Sequence, residues 1–122
     1  MITLKNLAQA TPQQVFDQVA THLLTQMDRS ADSDDTCAYR GQLGLKCAAG
    51  CLIADDEYKP YMEVRGSWGQ LVNDELVPFE HEELIRQLQS VHDMNPPSNW
   101  RVHLIGAAVH HDLSTEVLEK FR

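Results

Sequence analysis

Thr11-Pro12-Gln13-Gln14-Val15-Phe16-Asp17-Gln18-Val19-Ala20-Thr21-His22-Leu23-Leu24-Thr25-Gln26-Met27-Asp28 is the stretch that decides the fold class. Thr11 is a capping residue type, and Pro12 suits a first helical position, where an N–H would have no partner anyway. Gln14 stands where a capping box needs it. Val15, Phe16, Val19, Ala20, Leu23, Leu24 and Met27 then recur at intervals of three and four, which gives one apolar face. The spacing predicts a helix from Pro12 to about Asp28, and such a face requires partners of the same kind.

Those partners lie toward the C-terminus. Glu80 to Asp93 has helical periodicity, with Leu84, Ile85, Leu88, Val91 and His92 on one side. Met94-Asn95-Pro96-Pro97 breaks it. Ser98 then reads as the cap of a further helix with Trp100, Leu104, Ala107, Ala108 and His111 facing inward. A last short helix, Thr115 to Phe121, offers Leu118 and Phe121, and Ser67 caps another that carries Trp68, Leu71 and Val72. Both tryptophans read as core, because large aromatics at helical spacing pack inside.

The centre of the chain is less regular. Residues 29–36 (RSADSDDT) form a polar loop. Cys37 to Arg40 reads as a short strand, and the turn Gly41-Gln42-Leu43-Gly44 returns it, so one short β-hairpin is expected near residues 37–46. Leu45 to Ala54 is apolar, small and read as helical; Tyr61 to Gly66 is ambiguous between strand and loop. The fold expected is mainly α: a small helical bundle forming a single domain over residues 1–122.

A chain of 122 residues can bury a core without disulfide or metal staples. Its 18 acidic and 10 basic side chains give a formal charge of −8. That balance repels nucleic-acid phosphates, so general DNA or RNA binding is disfavoured, while encounter with basic protein surfaces is favoured. The segment Met1 to Asn6 lacks the apolar core of a signal peptide, and no run is long enough to span a bilayer. Three cysteines cannot close into a complete disulfide framework, so reduced thiols in a cytoplasm are expected.

Cys37, Cys47 and Cys51 are the residues with most chemical potential. On a helix, Cys47 and Cys51 would share a face, and with Cys37 and His92 they are candidate zinc ligands. Structural zinc sites pair their ligands more tightly, and free cysteine packs as a small hydrophobe, so the core reading is favoured. A catalytic thiol needs a base, and His92-Asp93 could supply imidazole and carboxylate. Adjacent helix residues point apart, however, and His81, His103, His110 and His111 compete for the role. No catalytic set and no cofactor are assigned. His92 reads as partly buried and bonded to a backbone carbonyl, and Asp55-Asp56 and Glu82-Glu83 read as solvated surface.

Anion capture is the sharper alternative. Arg40-Gly41-Gln42-Leu43-Gly44-Leu45-Lys46 sets two cations around a glycine turn that opens an expected helix, an arrangement suited to a phosphate or carboxylate. It has neither a Walker A nor a dinucleotide pattern of glycines. Against it stands a scaffolding role, with Arg40 paired to Asp55, Asp56 or Glu57.

The same segment resembles a group of short, uncharacterised proteins of phages, prophages and proteobacteria. The resemblance rests on Cys37-Ala38-Tyr39-Arg40-Gly41, Gly44-Leu45-Lys46-Cys47-Ala48, Gly50 and Leu52-Ile53, with acidic residues before Tyr58; Leu88 to Asp93 and Trp100 extend it over most of residues 11–111. It implies an accessory protein of mobile-element origin, acting in a host bacterial cytoplasm by binding a host or defence protein. The surface expected to do so comprises Tyr39, Arg40, Gly41, Gly44, Lys46, Asp55, Tyr58, His92 and Asp93. A small anionic ligand such as a nucleotide, held at Arg40 and Lys46, is the second expectation, and a cysteine-centred zinc or catalytic site is the third.

Overall fold

Helix α1 (Pro12–Gln26) runs through the middle of the protein, and its start has the expected chemistry: the Thr11 side chain accepts from Gln14 N while Gln14 Oε1 accepts from Thr11 N. The computed structural model describes residues 1–121. Helices α2 (Tyr61–Arg65), α3 (Trp68–Asn73), α4 (Glu82–Met94) and α5 (Trp100–His110) follow, with 3-10 turns at Leu7–Gln9, Gln42–Gly44, Ala49–Leu52, Pro97–Asn99 and Glu116–Phe121. The protein is mainly α. α1 packs against α4, α5 and the C-terminal 3-10 turn, and α4 packs against α3 and α5. One apolar cluster runs from Leu7 to Leu118, and both Trp68 and Trp100 lie in it. No helix among the described residues is long and apolar enough to cross a membrane.

α1 stops at Gln26, two residues before the expected end, because Met27 turns into the left-handed region (φ 49°) while its N–H still reaches Leu23 O. Tyr61–Arg65, left ambiguous by the sequence, is helical. Ser67 caps α3 by accepting from Gln70 N. The helix expected from Ser98 begins at Trp100 instead; Ser98 lies inside the Pro97–Asn99 turn and caps nothing. The last helix is a 3-10 element, Glu116–Phe121.

Two expectations for the centre fail for a common reason: side chains from elsewhere claim its backbone groups. The hairpin near residues 37–46 is reduced to two isolated bridges, Ala31 with Cys37 and Arg40 with Lys46. Beyond the second bridge the Gln26 side-chain amide takes both backbone groups of Lys46, accepting from its N (3.1 Å) and donating to its O (2.9 Å). Helix formation over Leu45–Ala54 is likewise limited to the turn Ala49–Leu52. Arg40 binds the carbonyls of Gly50 (2.9 Å) and Ile53 (2.6 Å), and Gln89 Oε1 accepts from Ala49 N (2.8 Å). With Ala49 N taken by Gln89, and Gly50 O accepting from Ile53 N in the shorter i to i+3 pattern, no regular α-helical ladder forms here.

The glycines of this segment serve close approach. A Cβ on Gly50 would stand 2.5 Å from Tyr39 O, and one on Gly41 would stand 2.5 Å from Ser30 Oγ and 2.6 Å from Ala31 N. The motif is therefore a tightly folded knot. Its outer side is closed by Glu63 of α2, whose carboxylate accepts from Tyr39 N, Arg40 N and the Tyr58 hydroxyl.

Candidate functional site

The knot, the α2–α3 corner and one face of α4 enclose a cleft of about 950 Å³. α4 builds its wall by helical spacing: Leu84, Ile85, Leu88 and Val91 enter the core, so Glu82, Glu83, Arg86, Gln87, Ser90 and Asp93 are left along the opposite side and line the cleft. The facing wall is Cys37, Ala38 and Tyr39, with Glu63 behind them. Gly66, Ser67 and Trp68 form one end. Gly69 lets Glu82 and Arg86 lie close over α3, since a Cβ there would meet Glu82 Oε2 at 3.4 Å and Arg86 Nε at 3.5 Å.

Four carboxylates line the cleft, those of Glu63, Glu82, Glu83 and Asp93, against one guanidinium, Arg86. Arg86 Nη1 is 3.6 Å from Glu82 Oε2. Glu63 is spent on the knot. Glu83 extends outward with its side chain 83% exposed, and only the loosely placed His110 imidazole, 3.7 Å away, faces it. The charge presented to an occupant is negative.

At the inner end lies a polar chain that the sequence reading misjudged. His92 is fully buried, not partly, and it binds no carbonyl: its Nε2 accepts from Ser30 N at 2.9 Å. His92 and Asp93 do not point apart either, because Nδ1 meets Asp93 Oδ1 at 2.7 Å. An acceptor Nε2 leaves the single proton of a neutral ring on Nδ1, where it is donated to Asp93. Gln89 Nε2 donates to the same carboxylate oxygen at 2.7 Å. Trp100 stacks on the imidazole at 5.4 Å between ring centres and bonds Asn95 O through its own indole N–H.

Cys37 closes the chain. Its Sγ, a His92 ring nitrogen and an Asp93 oxygen lie within 4.8 Å of one another, the spacing of a metal group, while Cys47 and Cys51 do not join them. Arg29 Nη1 donates to Cys37 Sγ at 2.9 Å. With both ring nitrogens engaged, His92 can neither ligate a cation nor take the Cys37 proton without giving up one of its bonds. Burial and the Asp93 carboxylate hold the Cys37 thiol above its ordinary range in spite of Arg29. Burial raises the Cys47 thiol further, and it pushes Cys51 up to about 12. Cys47 Sγ accepts from Gly50 N (3.3 Å) and Cys51 donates to Ala48 O (3.1 Å), so both thiols are parts of the knot.

Of the residues the sequence singled out, the structure brings Cys37, Tyr39, Cys47 and Asp93 to the cleft and sets His92 directly behind Asp93. Arg40, Gly41, Gly44, Lys46, Asp55 and Tyr58 lie outside its lining. Arg40 reaches Asp55 Oδ1 at 3.2 Å and stacks over Tyr58, and Lys46 shares the same carboxylate oxygen at 3.6 Å. The Arg40–Asp55 pairing is the scaffolding arrangement. The helix that was to begin beside these cations is absent, which removes the dipole and free N–H groups from that anion site. Asp55 is thus an ion-pair partner of both cations, not simply solvated surface.

Sequence reasoning missed Glu63, Ser67, Trp68, Gln87, Gln89 and Ser90. The polar side of α4 was legible as a periodic stripe, but nothing local said that Cys37–Tyr39 would lie across from it. No protein-family model, curated protein or solved structure compared with the chain matches it.

Proposed function

We propose that this is a non-enzymatic binding protein of phage type that engages a host or defence protein in a host cytoplasm, with the cleft between α4 and Cys37–Tyr39 as its contact surface. The cleft carries the binding part of this reading: it is large, polar and negatively charged, with α4 as one wall and the irregular Cys37–Tyr39 segment as the other. The engaged nitrogens of His92 and the raised thiols of Cys37, Cys47 and Cys51 support a binding role over nucleophilic chemistry. The phage-type setting and the nature of the target rest on the resemblance of the central motif.

Ser90 is exposed on the cleft wall, so Ser90→Arg fills the cleft while leaving the core untouched. Protein incubated with bacterial lysate is expected to retain a partner that Ser90→Arg loses, and that partner is expected to shield Cys37 from alkylation. Equal retention by both proteins, or a Cys37 that reacts as fast in the complex as alone, would refute the cleft as the contact surface.

A further inference from the structure

The outer face of α5 has the make-up of a helix contact and no partner within the chain. Leu104, Ala107 and Ala108 turn inward, so Val102, Ile105, Gly106 and Val109 come out together at helical spacing. Val102 is 63% exposed, Ile105 38% and Val109 72%. Gly106 sits among them in mid-helix, where glycine destabilises relative to alanine. Nothing in the fold asks for it: a Cβ there would meet no atom within 4 Å, whereas Gly41 and Gly50 are pressed against backbone. An open notch beside three exposed branched side chains is suited to a second helix in close approach.

The pattern also says which helix. Val102 and Ile105 mirror Val109 and Gly106 about the midpoint between residues 105 and 106. An antiparallel copy of α5 therefore sets Val102 on the second copy's Val109, and Ile105 in the notch at the second copy's Gly106. Knob and notch side by side on one surface give the self-complementarity that a two-fold axis needs. Charge favours the same occupant. Each copy carries a formal charge of −8, and two such copies repel unless they meet where negative charge is sparse. Among the described helices of eight residues or more, α1 carries Asp17 and α4 carries Glu82, Glu83 and Asp93, whereas α5 carries no carboxylate. Glu83 of α4 reaches the edge of the face, 83% exposed, where the His110 imidazole stands 3.7 Å away. His103 lies on the same flank of α5 as His110, two turns earlier, so an antiparallel partner brings its own His103 to that edge, an imidazole rather than a like charge.

We propose that α5 pairs with α5 of a second copy, the helices antiparallel and Ile105 of each seated at Gly106 of the other. An 11-residue helix is about 16 Å long and about 10 Å across, a smaller contact than the roughly 800 Å² per partner of a standard interface, so the pair forms reversibly with concentration. Val102, Ile105, Gly106 and Val109 lie outside the cleft lining, which makes pairing through α5 and capture at the cleft separate events.

Sedimentation equilibrium of the full chain from about 10 µM to about 1 mM reads the association. The mass is expected to rise from 13.8 kDa toward twice that value, and more readily as salt is raised, because screening relieves the repulsion of two acidic copies and leaves apolar contact intact. Gly106→Ala moves helix stability and pairing in opposite directions: at low concentration its monomer should melt higher than the parent, while its dimer should be at least threefold weaker. Val102→Lys and Val109→Glu, both at exposed positions, should each be monomeric. Mixed in equal amounts they should associate, since the antiparallel register sets the new ammonium against the new carboxylate and a parallel pair would not. A chain that stays monomeric across the range, a Gly106→Ala dimer as strong as the parent's, association that salt dissolves, or a mixture no more associated than its components would each overturn the proposal. Ser90→Arg should dimerise like the parent; loss of the dimer there would place the contact at the cleft and refute α5 as its seat.

Discussion

Arg40 shows how a conspicuous residue can be spent on structure. Its guanidinium ties Gly50 O, Ile53 O and Asp55 to the Tyr39 turn with a side chain only 17% exposed, so its loss takes three charge-assisted bonds and leaves Ile53 O without the donor shown here. Arg40→Ala should destabilise the protein by about 2–3 kcal/mol in urea unfolding, the range for hydrogen bonds from a charged group. Lys46→Ala, which removes only a 3.6 Å contact with an exposed carboxylate, should cost less than about 1 kcal/mol. Equal small losses would restore Arg40 to the list of free cations. His22 gives the pH dependence. Its Nε2 donates to Lys46 O at 2.9 Å, and burial, with Lys46, His92 and Arg40 nearby, lowers its pKa from 6.5. The folded state therefore binds this proton less readily than the unfolded chain. The stability tied to neutral His22 is fully present above pH 6.5 and is lost as pH falls through the lower folded value. His22→Gln keeps a donor and removes the titration, so unfolding free energy measured from pH 7.5 to 5 should fall less steeply than in the parent.

Helices differ in how much of their identity is local. α1 and α3 carry their own start signals, and Thr11 and Ser67 each make the cap their position predicts. Thr11→Ala should cost about 1 kcal/mol by thermal or urea unfolding, and Thr11→Ser should restore it. α4 lacks a side-chain cap and was legible instead from Leu84, Ile85, Leu88 and Val91 at helical intervals. Leu45–Ala54 was not. Its composition suits a helix, but Gln89 takes the Ala49 N–H and Arg40 ties the Gly50 and Ile53 carbonyls to the Tyr39 turn, so only the 3-10 turn Ala49–Leu52 forms. α5 exposes a different tension: Leu104, Ala107 and Ala108 face the core, yet Val102 and Val109 remain 63% and 72% exposed.

Packing also ranks the thiols by reach. Cys37 lies half-buried at the cleft, Cys47 borders the cleft with only 1% of its surface exposed, and Cys51 is held against Ala48 O. Iodoacetamide under native conditions should label Cys37 first, and slowly, because its thiol sits above the ordinary range; Cys47 should be labelled only after unfolding. Peptide mass mapping over time reads this order, and labelling of Cys47 in the native protein as fast as Cys37 would contradict it. Two of the nine residues first named as the functional surface, Tyr39 and Asp93, line the cleft, and the other side of the cleft comes from α3 and α4.

Residue pattern alone established an α-helical protein, the course of α1 and α4 to within two residues, the start of α3 at Ser67, an acidic balance and two core tryptophans. Those features depend on neighbours three or four positions away, which a linear reading contains. The cleft, the His92–Asp93–Cys37 chain at its inner end and the irregular knot arise when Ser30, Gln26, Glu63 and Gln89 claim backbone or side-chain groups far along the chain. Such long-range competition for hydrogen bonds has no period to read, so it became visible only once the helices were packed.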